Sequence, residues 1–168
     1  MEYEDLVRLV FESETSRKAS LGAIREEAHW QTVAKRLKWD GDPLAFRDEF
    51  FAGDVIDYAL LDFLRSLRPD YRTGLISNAW SGLRQYILDH KFEDAFDVMI
   101  ISAEVGTVKP DARIYQMALD QLGVSPNEAV FVDDFIENVK GAQAVGMSAI
   151  HFKDSESALA ELKTRLNI

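Results

Sequence analysis

After Pro69 the chain settles into an alternation that leaves few architectures open. Short apolar runs at residues 73–77, 97–102, 129–132 and 148–152 are separated by stretches with helical spacing, such as 111–122 and 136–145. Parallel neighbours cannot be joined by a tight turn, so strands linked by connections of that length suit right-handed crossovers. The expected fold is therefore α/β, a mainly parallel sheet covered by helices on both faces. A last helix, Ser155 to Leu166, turns Ala158, Leu159, Leu162 and Leu166 to one side and should pack on that sheet.

Residues 1–68 read differently. Tyr3, Leu6, Val7, Val10 and Phe11 follow a helical period, and after a break at Ser20-Leu21-Gly22 it resumes through Ile24, Trp30, Val33, Ala34 and Leu37, which predicts two helices. Asp42-Pro43 is an N-cap followed by proline at the first helical position, opening a short helix that Gly53 closes. Ile56, Leu60, Phe63, Leu64 and Leu67 mark another, stopped by Pro69. The division expected is a helical region over 1–68 and an α/β core over 69–168.

Composition narrows the function classes. The 168 residues are 47% apolar and 29% charged, a globular balance. Nineteen Lys and Arg against 29 Asp and Glu give a net charge of -10, unsuited to gripping a phosphate backbone, so nucleic acid is not an expected partner. A phosphorylated ligand would have to be drawn in by a local cation or a metal ion. There is no cysteine, which removes disulfides and thiolate chemistry. No apolar run approaches a membrane span and the first residues are acidic, so a cytoplasmic protein with no membrane partner is expected. His29, His90 and His151 are scattered without a metal-binding spacing.

In an open parallel sheet the functional loops lie beyond the carboxyl ends of the strands. Three such places carry polar groups: Ser77-Asn78 after Gly74-Leu75-Ile76, Lys109 in Val108-Lys109-Pro110-Asp111, and Asp133-Asp134 after Val130-Phe131-Val132, with Asn138 following. Singly, each has an ordinary reading. Ser77-Asn78 could make a turn, Lys109 could be a solvated loop lysine, and Asp133-Asp134 could complement the dipole of the next helix. Two adjacent carboxylates directly after a buried strand repel one another unless a cation or donors absorb the charge, which points to a metal site.

In order and type, this hydroxyl, ammonium and carboxylate pair resembles the second, third and fourth motifs of the haloacid dehalogenase-like superfamily, whose members are mostly magnesium-dependent phosphatases. The resemblance runs from Leu60 to about Leu166, and the helical region before it looks like the mobile cap of that family. It implies that Asp133 and Asp134 hold Mg2+, that Ser77, Asn78 and Lys109 bind the phosphate of a small phosphorylated metabolite, that Lys109 also takes a catalytic part, and that Asn138 supports the metal loop. The family's first motif, an Asp-x-Asp at the end of a central first strand, supplies the nucleophile. It is missing here. Asp40-Gly41-Asp42 follows the end of an amphipathic helix, and Glu12-Ser13-Glu14 lies in a helical period and is one methylene too long.

The expectation is thus a Rossmannoid core whose central strand is missing, about 30 residues short at its front. The gap would be closed directly, by another segment, or by a homodimer or strand exchange. The expected function is a phosphatase of small phosphate monoesters in complete form, inactive as written. A non-catalytic binding or assembly protein is the alternative, and a haloacid dehalogenase the third, disfavoured by the carboxylate pair.

Overall fold

A computed structural model describes residues 2–168. The first two-fifths of the chain is helical: α1 (Tyr3–Phe11), α2 (Glu14–Ser20), α3 (Glu26–Leu37), α4 (Pro43–Phe50) and α5 (Tyr58–Ser66). The caps follow the residue chemistry. Ser13 accepts from the Ser16 amide to open α2, Asp42 from Leu44 to open α4, and Asp57 from Leu60 to open α5. Between residues 3 and 37 the sequence periodicity predicts two helices where the structure has three. Helix α2 is a seven-residue element, Glu-Thr-Ser-Arg-Lys-Ala-Ser, too short and too polar to show a period. The apolar run through Phe11 is helical, so Glu12 and Glu14 sit at a helix corner and not at a strand end.

The remainder alternates as expected: β1 (Gly74–Ser77), α6 (Leu83–Asp89), β2 (Val98–Ile101), α7 (Ser102–Val105), α8 (Ala112–Leu122), β3 (Val130–Asp133), α9 (Ile136–Ala144), β4 (Ser148–His151) and α10 (Ser155–Leu166). The strands form two parallel pairs. β1 lies against β2 with Ile76 opposite Ile100, and β3 against β4 with Val132 opposite Ile150. Among the described residues no ladder joins the pairs, and each pair is a separate two-stranded sheet. What unites them is a core of Ile100, Ile114, Tyr115, Leu119, Phe131 and Val139, to which both pairs and the helices α8 and α9 contribute.

Backbone direction shows which side of each pair is open. Asp97 donates to the Thr73 carbonyl, and Ser148 and Phe152 donate to Ala129 and Asp133. Residues of a parallel strand bond to alternate sides. Gly74 and Ile76 in β1, and Val130 and Val132 in β3, therefore turn their backbone groups away from the partner strand. The expected empty central position corresponds to these two unpaired edges.

A second cluster, Leu9, Val10, Trp30 and Val33 with Phe46, Phe50, Phe51 and Trp80 around it, is the core of the helical region. Trp80 belongs to the segment after β1, so the helical region closes on a side chain from the α/β part. Helix α2 meets α7 at Gly22, whose φ of +69 and approach to the Ala103 carbonyl leave no room for a side chain.

Candidate active site

Lys109 is the hub of the strand-end groups. Its Nζ donates to the Ile76 carbonyl at 2.8 Å and to Asp133 Oδ2 at 2.6 Å, so the ends of β1 and β3 lie within reach of one ammonium. The Asp133 side chain is buried and that of Lys109 only 10% exposed, which raises the Coulomb attraction and also the cost of losing either partner. The ammonium also lies 5.5 Å from the Phe131 ring centre. The Lys109 backbone is held by Asn78, whose Oδ1 accepts from the Lys109 amide at 2.7 Å and whose Nδ2 donates to its carbonyl at 3.0 Å. Ser77, Asn78, Lys109 and Asp133 are thus brought together, and the Ser77 hydroxyl takes no protein partner among the described residues.

The two aspartates stand in different surroundings. Asp133 Oδ1 accepts from Asn138 Nδ2 at 2.8 Å and from the Phe135 amide at 2.9 Å, while Oδ2 takes Lys109. Three of its four lone-pair positions are filled. Asp134 is exposed and its carboxylate makes no hydrogen bond or ion pair among the described residues. Asn138 is buried and in turn fixed by Tyr115, whose hydroxyl donates to the Asn138 carbonyl at 2.8 Å. Burial first, and then the Asp133 charge, push the Tyr115 phenol up to about 12, so it stays a donor at neutral pH.

Among the described residues no group of three or more His, Asp and Glu side chains is placed to hold a metal ion. The donor chemistry nonetheless suits a hard cation in part. Asp134 offers a free carboxylate and Asp133 one remaining lone pair, and magnesium is commonly held by one or two carboxylates together with water and phosphate oxygens.

Several contributors carry no chemical signature of their own in the sequence. Ser102, fully buried, clamps Ala79 by accepting from its amide at 3.0 Å and donating to its carbonyl at 3.1 Å. Glu26, at the start of α3, accepts from the Gly82 amide at 2.9 Å and from Arg47 Nη1 at 2.7 Å, and its own amide donates to Ser81 Oγ. Segment 78–82 is therefore fixed at Asn78, Ala79, Ser81 and Gly82. Asp111, part of the Lys-Pro-Asp run, caps α8 and pairs with Arg113, which holds its carboxyl down at about 2. A cleft of about 520 Å3 lined by Asp5, Arg8, Leu9, Glu12, Ser13 and Arg36 lies in the helical region and shares no residue with this group.

Comparison with known proteins gives a consistent lineage. Residues 3–146 match the family model of haloacid dehalogenase-like hydrolases. A sesquiterpene phosphatase of Aspergillus oryzae is 46% identical over 160 residues, covering 92% of this chain and 80% of the relative. The bifunctional epoxide hydrolase 2 of Rattus norvegicus is 40% identical over 101 residues, 57% of this chain, and the matched part is only 18% of that protein's length. In fold, the chain superposes on a HAD family enzyme of Bacteroides thetaiotaomicron, solved with magnesium and inorganic phosphate, with a TM-score of 0.74 at 21% identity over 92% of this chain and 88% of that one.

Proposed function

The chain belongs to the haloacid dehalogenase-like hydrolases, and from that premise we propose that it forms the substrate-binding and metal-binding portion of a magnesium-dependent phosphatase of phosphate monoesters. One observation carries the reading. A largely buried ammonium joins the ends of β1 and β3, and the next residue of the chain at each end, Ser77 after Ile76 and Asp134 after Asp133, carries an unpartnered hydroxyl or carboxylate among the described residues. A phosphate dianion needs a fixed cation and donors on one side and a metal carboxylate on the other.

In this reading Ser77 donates its hydroxyl to a phosphate oxygen and Asn78 fixes the Lys109 backbone. Lys109 faces the phosphate as a held positive charge, with Asp133 setting its position. Asp134 would be the principal carboxylate to hold the metal, with Asp133 able to offer its one remaining lone pair. Bound magnesium would neutralise charge on the phosphate and bring it against an attacking carboxylate. Asn138 keeps Asp133 oriented.

The attacking carboxylate is proposed to come from polypeptide outside these 168 residues, entering between β1 and β3. Glu12 and Asp40 are exposed residues of the helical region and Asp42 caps α4, so none of them stands at a strand end. The test is hydrolysis of a generic aryl phosphate with and without magnesium. Residues 1–168 alone should give no turnover, and joining an upstream strand ending in Asp-x-Asp should give magnesium-dependent turnover that Asp134→Ala abolishes. Turnover by residues 1–168 alone that depends on Asp134 would locate the nucleophile inside the chain and overturn this part of the reading.

A further inference from the structure

Large apolar side chains, half-buried or exposed, lie close along the chain to Ser77 and to Asp134. On the β1 side, Trp80 stands two residues beyond Asn78, and its ring stacks on Phe11 at 5.9 Å with the planes 18° apart. Phe11, at the end of α1, is 49% exposed. On the β3 side, the two residues immediately after Asp134 are Phe135 and Ile136, 63% and 38% exposed. The Lys109 bridge between Ile76 and Asp133 brings the two strand ends to one place. Aromatic side chains beside a few convergent polar groups are the lining that suits a ligand with an apolar body.

Trp80 is held both through its chain neighbours and through its ring. Its neighbours Ala79 and Gly82 are bonded to Ser102 and Glu26, and its ring is backed by His29 at 4.7 Å and Trp30 at 5.5 Å. On the other face of the pair, the Phe11 carbonyl accepts from Ser16 Oγ, fixing the α1–α2 corner. A rigid aromatic platform offers contact area at little cost in conformational entropy. We infer that the site takes phosphate monoesters of apolar alcohols, with the phosphate at Ser77 and Lys109 and the hydrocarbon body laid between the Phe11–Trp80 pair and Phe135. The inference rests on the phosphomonoester reading above and adds to it the class of the alcohol.

Calorimetric binding of octyl phosphate, glycerol phosphate and octanol to residues 1–168 in the presence of magnesium tests it. Octyl phosphate should bind about tenfold or more tighter than glycerol phosphate, the gain expected from burying two or three methylenes. That preference should fall severalfold in Phe11→Ala and again in Phe135→Ser, a substitution at an exposed position that the fold tolerates. Equal affinity for the two phosphates, each weakened by Ser77→Ala, would overturn the apolar inference and leave the phosphomonoester reading standing. Octanol binding as tightly as octyl phosphate, with Ser77→Ala changing neither, would overturn both, since the apolar surface would then act without a phosphate site.

Discussion

Asp133 and Asp134 are adjacent in sequence, yet their surroundings assign them different work. Asp133→Ala would strand a buried Lys109 and the Asn138 amide, a loss of about 3–5 kcal/mol expected for breaking a buried pair from one side. Asp134→Ala removes an exposed carboxylate without a partner and should change stability by no more than about 0.5 kcal/mol. Urea denaturation of the two variants should separate them by several kcal/mol, and only Asp134→Ala should lose magnesium affinity at unchanged stability. The pair itself is visible in the sequence as two carboxylates after an apolar run. Which of them is occupied is not, because the answer lies in Lys109 and Asn138, brought in from other loops.

His29 is a second residue whose state is set by its surroundings. It is fully buried beside Trp80 and Trp30, with Nδ1 2.9 Å from Thr15 Oγ1. Burial lowers its pKa below 6.5, the Val10 carbonyl opposing this more weakly. Below that pH the unfolded chain takes up a proton that the folded one refuses, so the stabilisation present above pH 6.5 is lost as the pH falls through the folded value. Acid titration followed by tryptophan fluorescence should therefore show loosening of the helical region beginning below about pH 6.5. His29→Phe, which keeps the ring and removes the proton, should flatten that slope.

At the level of elements, segment 78–82 joins the two parts of the chain. Its backbone is bonded to Ser102 below and to Glu26 above, while α2 rests on α7 through Gly22. Gly22→Ala would place a methyl carbon about 2.1 Å from the Ala103 carbonyl oxygen in a left-handed backbone. The expected cost is about 1–3 kcal/mol, read as a lower urea midpoint of the tryptophan signal. Gly53→Ala, where a methyl group meets nothing within 4 Å, serves as the control. The strands were legible because four apolar runs bounded by polar loops admit few other readings, and α4 because Asp42-Pro43 is a strong start signal. Helix α6 escaped: it opens at Gly82 without a side-chain cap and Ile87 is its sole buried residue. The attachments of segment 78–82 were equally hidden, since Glu26 and Ser102 are ordinary residues until the fold brings them to it.

Across the whole molecule the governing feature is a sheet in two halves. Parallel strands in α/β proteins are normally paired on both sides and buried on both faces. Here the residues of β1 from Leu75 to Ser77 are half-buried and its first, Gly74, is exposed, while Val130 and Val132 in β3 are half-buried as well. The Ile76 carbonyl, facing the gap, accepts from Lys109 where a neighbouring strand would otherwise supply an amide. Amide hydrogen exchange offers a direct reading of this arrangement. In residues 1–168 alone, the amides of Gly74, Ile76, Val130 and Val132 should exchange much faster than their alternating neighbours Leu75, Phe131 and Asp133, which face the partner strand. Joining an upstream strand that ends in Asp-x-Asp should protect all four together, because a strand inserted between β1 and β3 bonds to both edges at once. Protection of only the β1 pair, or of only the β3 pair, would mean that the added strand lies on one edge, leaving its carboxylate away from Lys109 and the site without an attacking group.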